Sequence, residues 1–176
     1  MADPVSLSLA TDLDTGFSLL VDTHQHLLFG VALRLCGDAS EAEEIAQDAL
    51  VNAYRALTEW TVERRRALLP RPWLCAIVLN VYRGRLRRRR PTVSYTEELH
   101  APATYDEPDL GDHDWTRRLA ALPDRYRVPI VLHCIEDLSY EETAEALDRP
   151  VGTVKAQIHR GLTGLREMQL DSEAVR

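Results

Sequence analysis

The sequence predicts an all-α protein made of two small helical domains joined by an acidic linker, on three observations. Apolar residues recur at spacings of three and four through most of the chain, and no run alternates with period two for long enough to make a strand. Between residues 92 and 113 that periodicity stops and the composition shifts to Pro, Thr, Ser and acids. With 176 residues and 45% hydrophobic content, the chain suits one ordinary domain or two small ones with genuine cores.

Residues 1–14 mix Asp, Ser, Thr and Pro with scattered Leu and Val and are expected to form a flexible arm. Helical spacing then begins with Phe17, Leu20, Val21, His24, Leu27, Leu28, Val31 and Leu35, and Gly37 supplies a stop. Ser40 and Glu43 have the spacing of a capping box for a second helix, whose apolar face is Ile45, Ala46, Ala49, Leu50, Ala53, Tyr54 and Leu57. A connector from Thr58 to Arg71 leads to Pro72, suited to a first helical position because it lacks the orphan amide donor. Trp73, Leu74, Ile77, Val78, Val81 and Leu86 form the buried side of this third helix, which ends at Pro91. Together these helices predict a compact bundle over residues 15–91.

After the linker, Asp114 is placed to cap a short helix bearing Trp115, Leu119 and Leu122. Asp124 opens another with Tyr126, Val128, Val131, Leu132 and Ile135, and Pro129 inside it requires a late start or a kink. Ser139 to Glu142 repeat the capping-box pattern, Ala144 and Leu147 give that short helix an apolar side, and Asp148, Arg149 and Pro150 make a turn. Beyond it, Val154, Ile158, Leu162, Leu165 and Met168 form a stripe, with Thr153, Lys155, Gln157, His159 and Arg160 between them. A capped short helix, a tight turn and a second helix with an apolar back and a donor-rich front have the form that docks in a major groove. A solvated amphipathic hairpin has the same outline, so the choice between the two rests on the residues. The C-terminal domain is expected over residues 114–170, with a tail from 171 to 176.

A net charge of -7 argues, taken alone, against nucleic-acid binding. The charge is segregated, however. Residues 1–59 hold ten acids and two arginines, a net of -8; residues 60–91 hold ten arginines and one acid, +9; residues 92–116 carry -7 and the remainder -1. Such a chain presents different faces to different partners, one of them polyanionic. The tract Arg83, Arg85, Arg87, Arg88, Arg89 and Arg90 covers about two helical turns and cannot find enough acids on its own helix, so phosphate neutralisation is its expected use.

Other function classes have little support. Cys36, Cys75 and Cys134 are far apart, each beside apolar residues, and are expected to be buried thiols; His24 and His26, two apart, are poorly placed to share a metal. No catalytic constellation, metal site or cofactor motif is visible, so no enzyme is expected. The chain shows no secretory leader and no apolar run of spanning length, and a cytoplasmic protein without membrane insertion is expected.

Two sets of residues then bring a family into view. Leu122-Pro123, Leu138-Ser139-Tyr140-Glu141-Glu142, Ala144-Glu145 and Pro150-Val151-Gly152-Thr153-Val154-Lys155 resemble the C-terminal domain of extracytoplasmic-function sigma factors. Arg34-Leu35-Cys36-Gly37-Asp38 with Ala42 to Leu50 is similar to the segment of that family that grips the polymerase clamp helices. Trp73-Leu74, Ile77, Asn80 and the arginines from Arg83 on resemble the segment that holds the minus-ten element. The resemblance covers nearly everything but the arm and the linker.

It implies a subunit that binds core RNA polymerase, at its clamp helices and flap, and promoter DNA, both double- and single-stranded, with an anti-sigma factor as a further partner. Carried over by position, Thr153, Lys155, Ala156, Gln157, His159 and Arg160 fall at the minus-thirty-five contact. Arg64, Arg65, Arg66, Asn80, Arg83, Arg85, Arg87 and Arg88 fall at the minus-ten contact, and Glu43, Glu44, Gln47, Asp48 and Leu50 at the core polymerase contact. The loop holding Trp60 to Arg71 is where the family holds extruded bases; Trp60 itself is expected in the core. Gln157 stands where the family usually has arginine, and Gly161-Leu162 where it has an Ala-Arg pair. Gly161 is expected to loosen the far end of its helix, glycine costing about 1 kcal/mol of propensity against alanine. A LuxR-like operator-binding regulator is the alternative, since Gly152-Thr153-Val154-Lys155 fits those helices too, but the N-terminal helices offer it no sensor or receiver domain.

Overall fold

A computed structural model describes residues 3–89 and 113–174, and every regular element among them is a helix. The expected linker, residues 92–113, lies outside the described residues apart from His113, which already belongs to a helix. The packing divides the chain into two compact units, one reaching Arg89 and the other running on from there, with Leu33–Asp38 grouped with the latter.

The N-terminal unit is built from α1 (Pro4–Thr11), α2 (Leu13–Cys36) as far as Ala32, α3 (Ala39–Glu59), α4 (Val62–Arg66) and α5 (Pro70–Arg89). Its core is drawn from three apolar stripes: Leu20, Leu28 and Val31 on α2; Ile45, Ala49, Ala53 and Leu57 on α3; Leu74, Val78, Leu79 and Tyr82 on α5. α3 lies along α5. Gly37 follows α2 with φ +74°, the left-handed conformation that ends a helix and that glycine adopts without a Cβ penalty.

Three expectations are corrected here. The arm is a helix from Pro4 to Thr11, capped by Asp3, whose carboxylate accepts from the Val5 amide at 2.8 Å, with Pro4 at the first helical position. Its periodicity is disguised because Ser6 is fully buried while Leu7 is exposed, so the buried face (Val5, Ser6, Leu9, Ala10) does not read as an apolar stripe. The connector contains α4, capped by Thr61. The third helix starts at Pro70, with Pro72 tolerated two residues later because neither proline removes a first-turn hydrogen bond.

The C-terminal unit comprises α6 (His113–Ala121), α7 (Asp124–Ile130) running into a π turn (Val131–Ile135), α8 (Tyr140–Leu147) and α9 (Val151–Ala174). Asp114 therefore sits inside α6 rather than before it, and α9 takes in the first four residues of the expected tail. A late start does not accommodate Pro129. The helix begins at Asp124, and after the missing donor it widens, the Glu136 amide reaching back five residues to the Val131 carbonyl at 3.0 Å. Cys134 lies on the open side of this turn and is exposed, Cys36 is half-buried, and only Cys75 is buried as expected.

Val128, Ile130, Leu132, Leu147, Val154, Ile158 and Leu165 form the core of this unit, with α7 packed on α9. α9 continues unbroken past Gly161, contrary to the expected loosening. The glycine is a crossing point instead: a Cβ there would lie 2.6 Å from Ile130 Cδ1 and 3.0 Å from Tyr126 Cβ. We expect Gly161→Val to lower stability by about 2 kcal/mol, overpacking outweighing the gain in helix propensity, as a fall in the thermal midpoint. A midpoint that stays or rises would show that α7 is free to move away.

Candidate nucleic-acid and polymerase interfaces

The helix-turn-helix is set by local chemistry. The Ser139 hydroxyl accepts from the Glu142 amide at 3.1 Å, and Glu142 accepts from the Ser139 amide at 2.8 Å, closing the capping box. Asp148 ends α8 in the left-handed conformation (φ 52°), turning the chain into Pro150 and α9. Val154, Ile158 and Leu165 are buried, while Thr153, Lys155, Ala156, His159 and Arg160 are exposed on the other side of the helix. The Lys155 ammonium stands 5.0 Å from the Tyr140 ring, and that ring stacks on His133 at 3.9 Å. The recognition-type helix is thus tied to α8 and the π turn from its outer side as well as through its apolar back.

Gln157 differs from the expected outward residue. It is half-buried, and its Oε1 accepts from Arg149 Nη1 at 3.0 Å, so it holds the turn to the second helix. An arginine there could not accept that bond, having donors only.

On the N-terminal unit the arginines separate into two groups. Arg64, Arg66, Arg87 and Arg88 are exposed, as is Asn80, and Arg83 is half-buried. The Arg64 guanidinium lies 4.0 Å above the Trp60 ring, and Trp60 meets Trp73 at 5.0 Å between centroids. Trp60 is half-buried, so it is an aromatic platform at the loop rather than the core residue expected.

Arg65 and Arg85 are engaged inside the unit. Arg65 Nη1 donates to the Leu9 carbonyl at 3.0 Å. Arg85, its side chain 20% exposed, donates to Glu44 Oε2 at 2.7 Å and Asp48 Oδ2 at 2.6 Å. Those two bonds hold the Arg85 proton more firmly than usual. One arginine of the tract thus finds acids, one helix away on α3, and a residue expected at the minus-ten contact is joined to two expected at the polymerase contact.

Glu43 and Gln47 are exposed on α3 and Leu50 is half-buried. Val51 and Tyr54 extend the same face from Gln47 at i+4 and i+7, and both are exposed. Tyr54 therefore lies outside the apolar face expected to hold it, and Val51 lies beside it. The signal available was the spacing from Gln47, which sets both on the acidic side of the helix.

A capped helix-turn-helix on one helical unit and an exposed arginine group beside an aromatic platform on another define a DNA-binding protein with two separate modules. Residues 20–92 match the profile of Sigma-70 region 2, and residues 113–165 match that of Sigma-70 region 4. The chain is 32% identical over 171 residues to the ECF RNA polymerase sigma factor SigW of Bacillus subtilis, spanning 88% of this chain and 89% of the relative. It is 34% identical to the RNA polymerase sigma-E factor of Streptomyces coelicolor over 86% and 84% of the two chains. The chain belongs to the ECF RNA polymerase sigma factors.

Two solved structures share the fold. The sigma factor RpoE in complex with the anti-sigma factor NepR from Bartonella quintana has a TM-score of 0.68 at 24% identity, over 87% of this chain and 96% of that one. CnrH in complex with the cytosolic domain of CnrY has a TM-score of 0.67 at 23% identity, over 96% of each chain. No helix among the described residues is long and apolar enough to cross a membrane.

Proposed function

We propose that this chain joins core RNA polymerase, directs it to promoters by gripping the minus-thirty-five and minus-ten elements, and helps open the DNA for initiation. One observation carries the reading: the sequence matches region 2 and region 4 in that order on one chain, each over a helical unit with exposed cations. In this reading residues 15–91 bind core polymerase and the minus-ten element, residues 92–113 link the units, and residues 114–170 bind the minus-thirty-five element. Thr153, Lys155, Ala156, His159 and Arg160 meet the upstream duplex, and Gln157 acts through the turn.

Arg64, Arg66, Asn80, Arg87 and Arg88 meet the minus-ten region, with Arg83 beside them. Glu43, Gln47, Leu50, Val51 and Tyr54 form the polymerase-facing surface, with Glu44 and Asp48 shared between that surface and Arg85. Bases leaving the stack cost a few kcal/mol each, recovered by stacking and edge contacts, and Trp60 with Arg64 offers such a surface. The protein acts in the cytoplasm as a binding subunit, while RNA synthesis remains the core's chemistry. An anti-sigma factor is its expected inhibitor, as the structurally similar sigma factor RpoE is held by one. A LuxR-like regulator leaves the region 2 unit without a role.

The test is to mix the protein with core polymerase and transcribe a library of random promoter templates. Co-elution with core and selection of a two-element promoter are expected. Failure to bind core, together with tight operator binding by the protein alone, would reverse the proposal.

A further inference from the structure

The loop between α3 and α5 exposes nearly everything it carries: Thr61, Val62, Glu63, Arg64, Arg66, Ala67 and Leu69 all face solvent. Its one helix, α4, has five residues, too few to persist alone, and its only side-chain cap is a 3.3 Å bond from the Arg64 amide to the Thr61 hydroxyl. Something else must hold it, and the only deeply buried side chain between Thr61 and Leu69 is Leu68.

The support comes from α1. Ser6 is fully buried, and its hydroxyl donates to the Leu68 carbonyl at 2.7 Å. In return Arg65 donates to the Leu9 carbonyl at 3.0 Å, one of the last carbonyls of α1, which have no helical partner and favour a cation. The bonds run in opposite directions between the two segments, with Val5, Leu9 and Ala10 buried beneath them. α1 is in turn seated on α2 at Gly16, where a Cβ would lie 2.4 Å from the Leu9 amide nitrogen and 2.5 Å from its Cα. Backbone cannot yield to such a contact as a side-chain end could, so α1 sits this close only because residue 16 is glycine.

From this arrangement we propose that α1 is a brace that sets the position of the α4 loop, with Ser6 and Arg65 as positioning residues for minus-ten recognition by Arg64 and Arg66. The inference rests on the proposed role of those two arginines. Arg65 itself is reassigned from DNA contact to the brace. Fixing it fixes the direction of its two neighbours, one of which already rests on Trp60. Without the brace the loop regains conformational freedom, and the arginines must be ordered at the moment of binding, which weakens discrimination between bases.

The test uses full-length protein assembled with core polymerase. Ser6→Ala, Gly16→Val and Arg64→Ala are made singly, and Ser6→Ala is also combined with Arg64→Ala. Core affinity, amide exchange across residues 61–69 and open-complex formation are measured on the preferred promoter and on templates with single minus-ten substitutions. Ser6→Ala and Gly16→Val are expected to speed exchange in the loop and to cut minus-ten discrimination by roughly tenfold, the scale of one lost buried hydrogen bond. Core affinity of Ser6→Ala should stay within about twofold, because such effects do not couple to contacts well away from them. Adding Arg64→Ala to Ser6→Ala should cost little more. Unchanged discrimination in Ser6→Ala and Gly16→Val, beside a clear loss in Arg64→Ala, would overturn the brace and leave the arginine assignment standing. Unchanged discrimination in Arg64→Ala and in an Arg66→Ala variant would overturn that assignment and the brace with it.

Discussion

Ile158→Asp is expected to unfold the C-terminal unit and to reduce transcription from promoters that depend on the minus-thirty-five element by more than about 100-fold. Ile158 is 3% exposed, one turn beyond Val154 on the side of α9 that faces its own unit's core. A carboxylate there would find no buried cation to pair with, the described buried residues of this unit being apolar apart from Glu136 and Thr143. Its burial costs several kcal/mol, about the whole stability of so small a unit. Because the N-terminal unit has its own core, its affinity for polymerase should fall by less than about tenfold, and circular dichroism should show loss of only part of the helix signal. Proportional loss of both functions would mean that the two units do not fold separately.

Arg85→Ala and the pair Arg87→Ala with Arg88→Ala are expected to have opposite signatures. Arg85 bonds to Glu44 and Asp48, but both acids are more than half exposed, so solvent screens much of the gain. Its loss should cost about 1 kcal/mol, a fall of a few degrees in thermal midpoint, and leave the salt slope of promoter binding unaltered. Arg87 and Arg88 are exposed, and removing both should leave the midpoint in place while reducing the slope by about 1.4 to 1.8, according to whether they meet single-stranded or duplex DNA. A fall in slope for Arg85→Ala would return it to the DNA-contacting group.

What could be read from the sequence was what local chemistry determines. The capping box at Ser139 and Glu142, the Asp148 turn, the stripes of α2 and α9, that of α3 apart from Tyr54, and the all-helical class follow from spacings within a few residues, and they stand in the structure as expected. Partner choice was not legible. Arg65, Arg85 and Gln157 belong to residue types that DNA-binding surfaces use, and only the tertiary fold shows each of them joined to a carbonyl, two carboxylates or a turn arginine.

The first helix was hidden for a related reason. Burying Ser6 is favourable only because the Leu68 carbonyl, 62 residues away, receives its proton. At Gly161 propensity misleads because it describes an isolated helix, whereas a glycine against Ile130 and Tyr126 permits the crossing of two helices. Cys134 was expected inside from its apolar neighbours, but the π turn after Pro129 carries it to the surface.

The two-point grip itself is tested most directly by spacer length. On the preferred promoter, the segment between the minus-thirty-five and minus-ten elements is changed by single bases up to five in either direction, and open complexes formed by the reconstituted holoenzyme are counted. Five base pairs is about half a helical turn and puts the two elements on opposite faces of the duplex. The expected result is a sharp optimum, with promoter opening nearly lost at five bases either way and partly retained at one. Opening that is indifferent to spacing, or that survives removal of either element, would contradict simultaneous recognition by the two units.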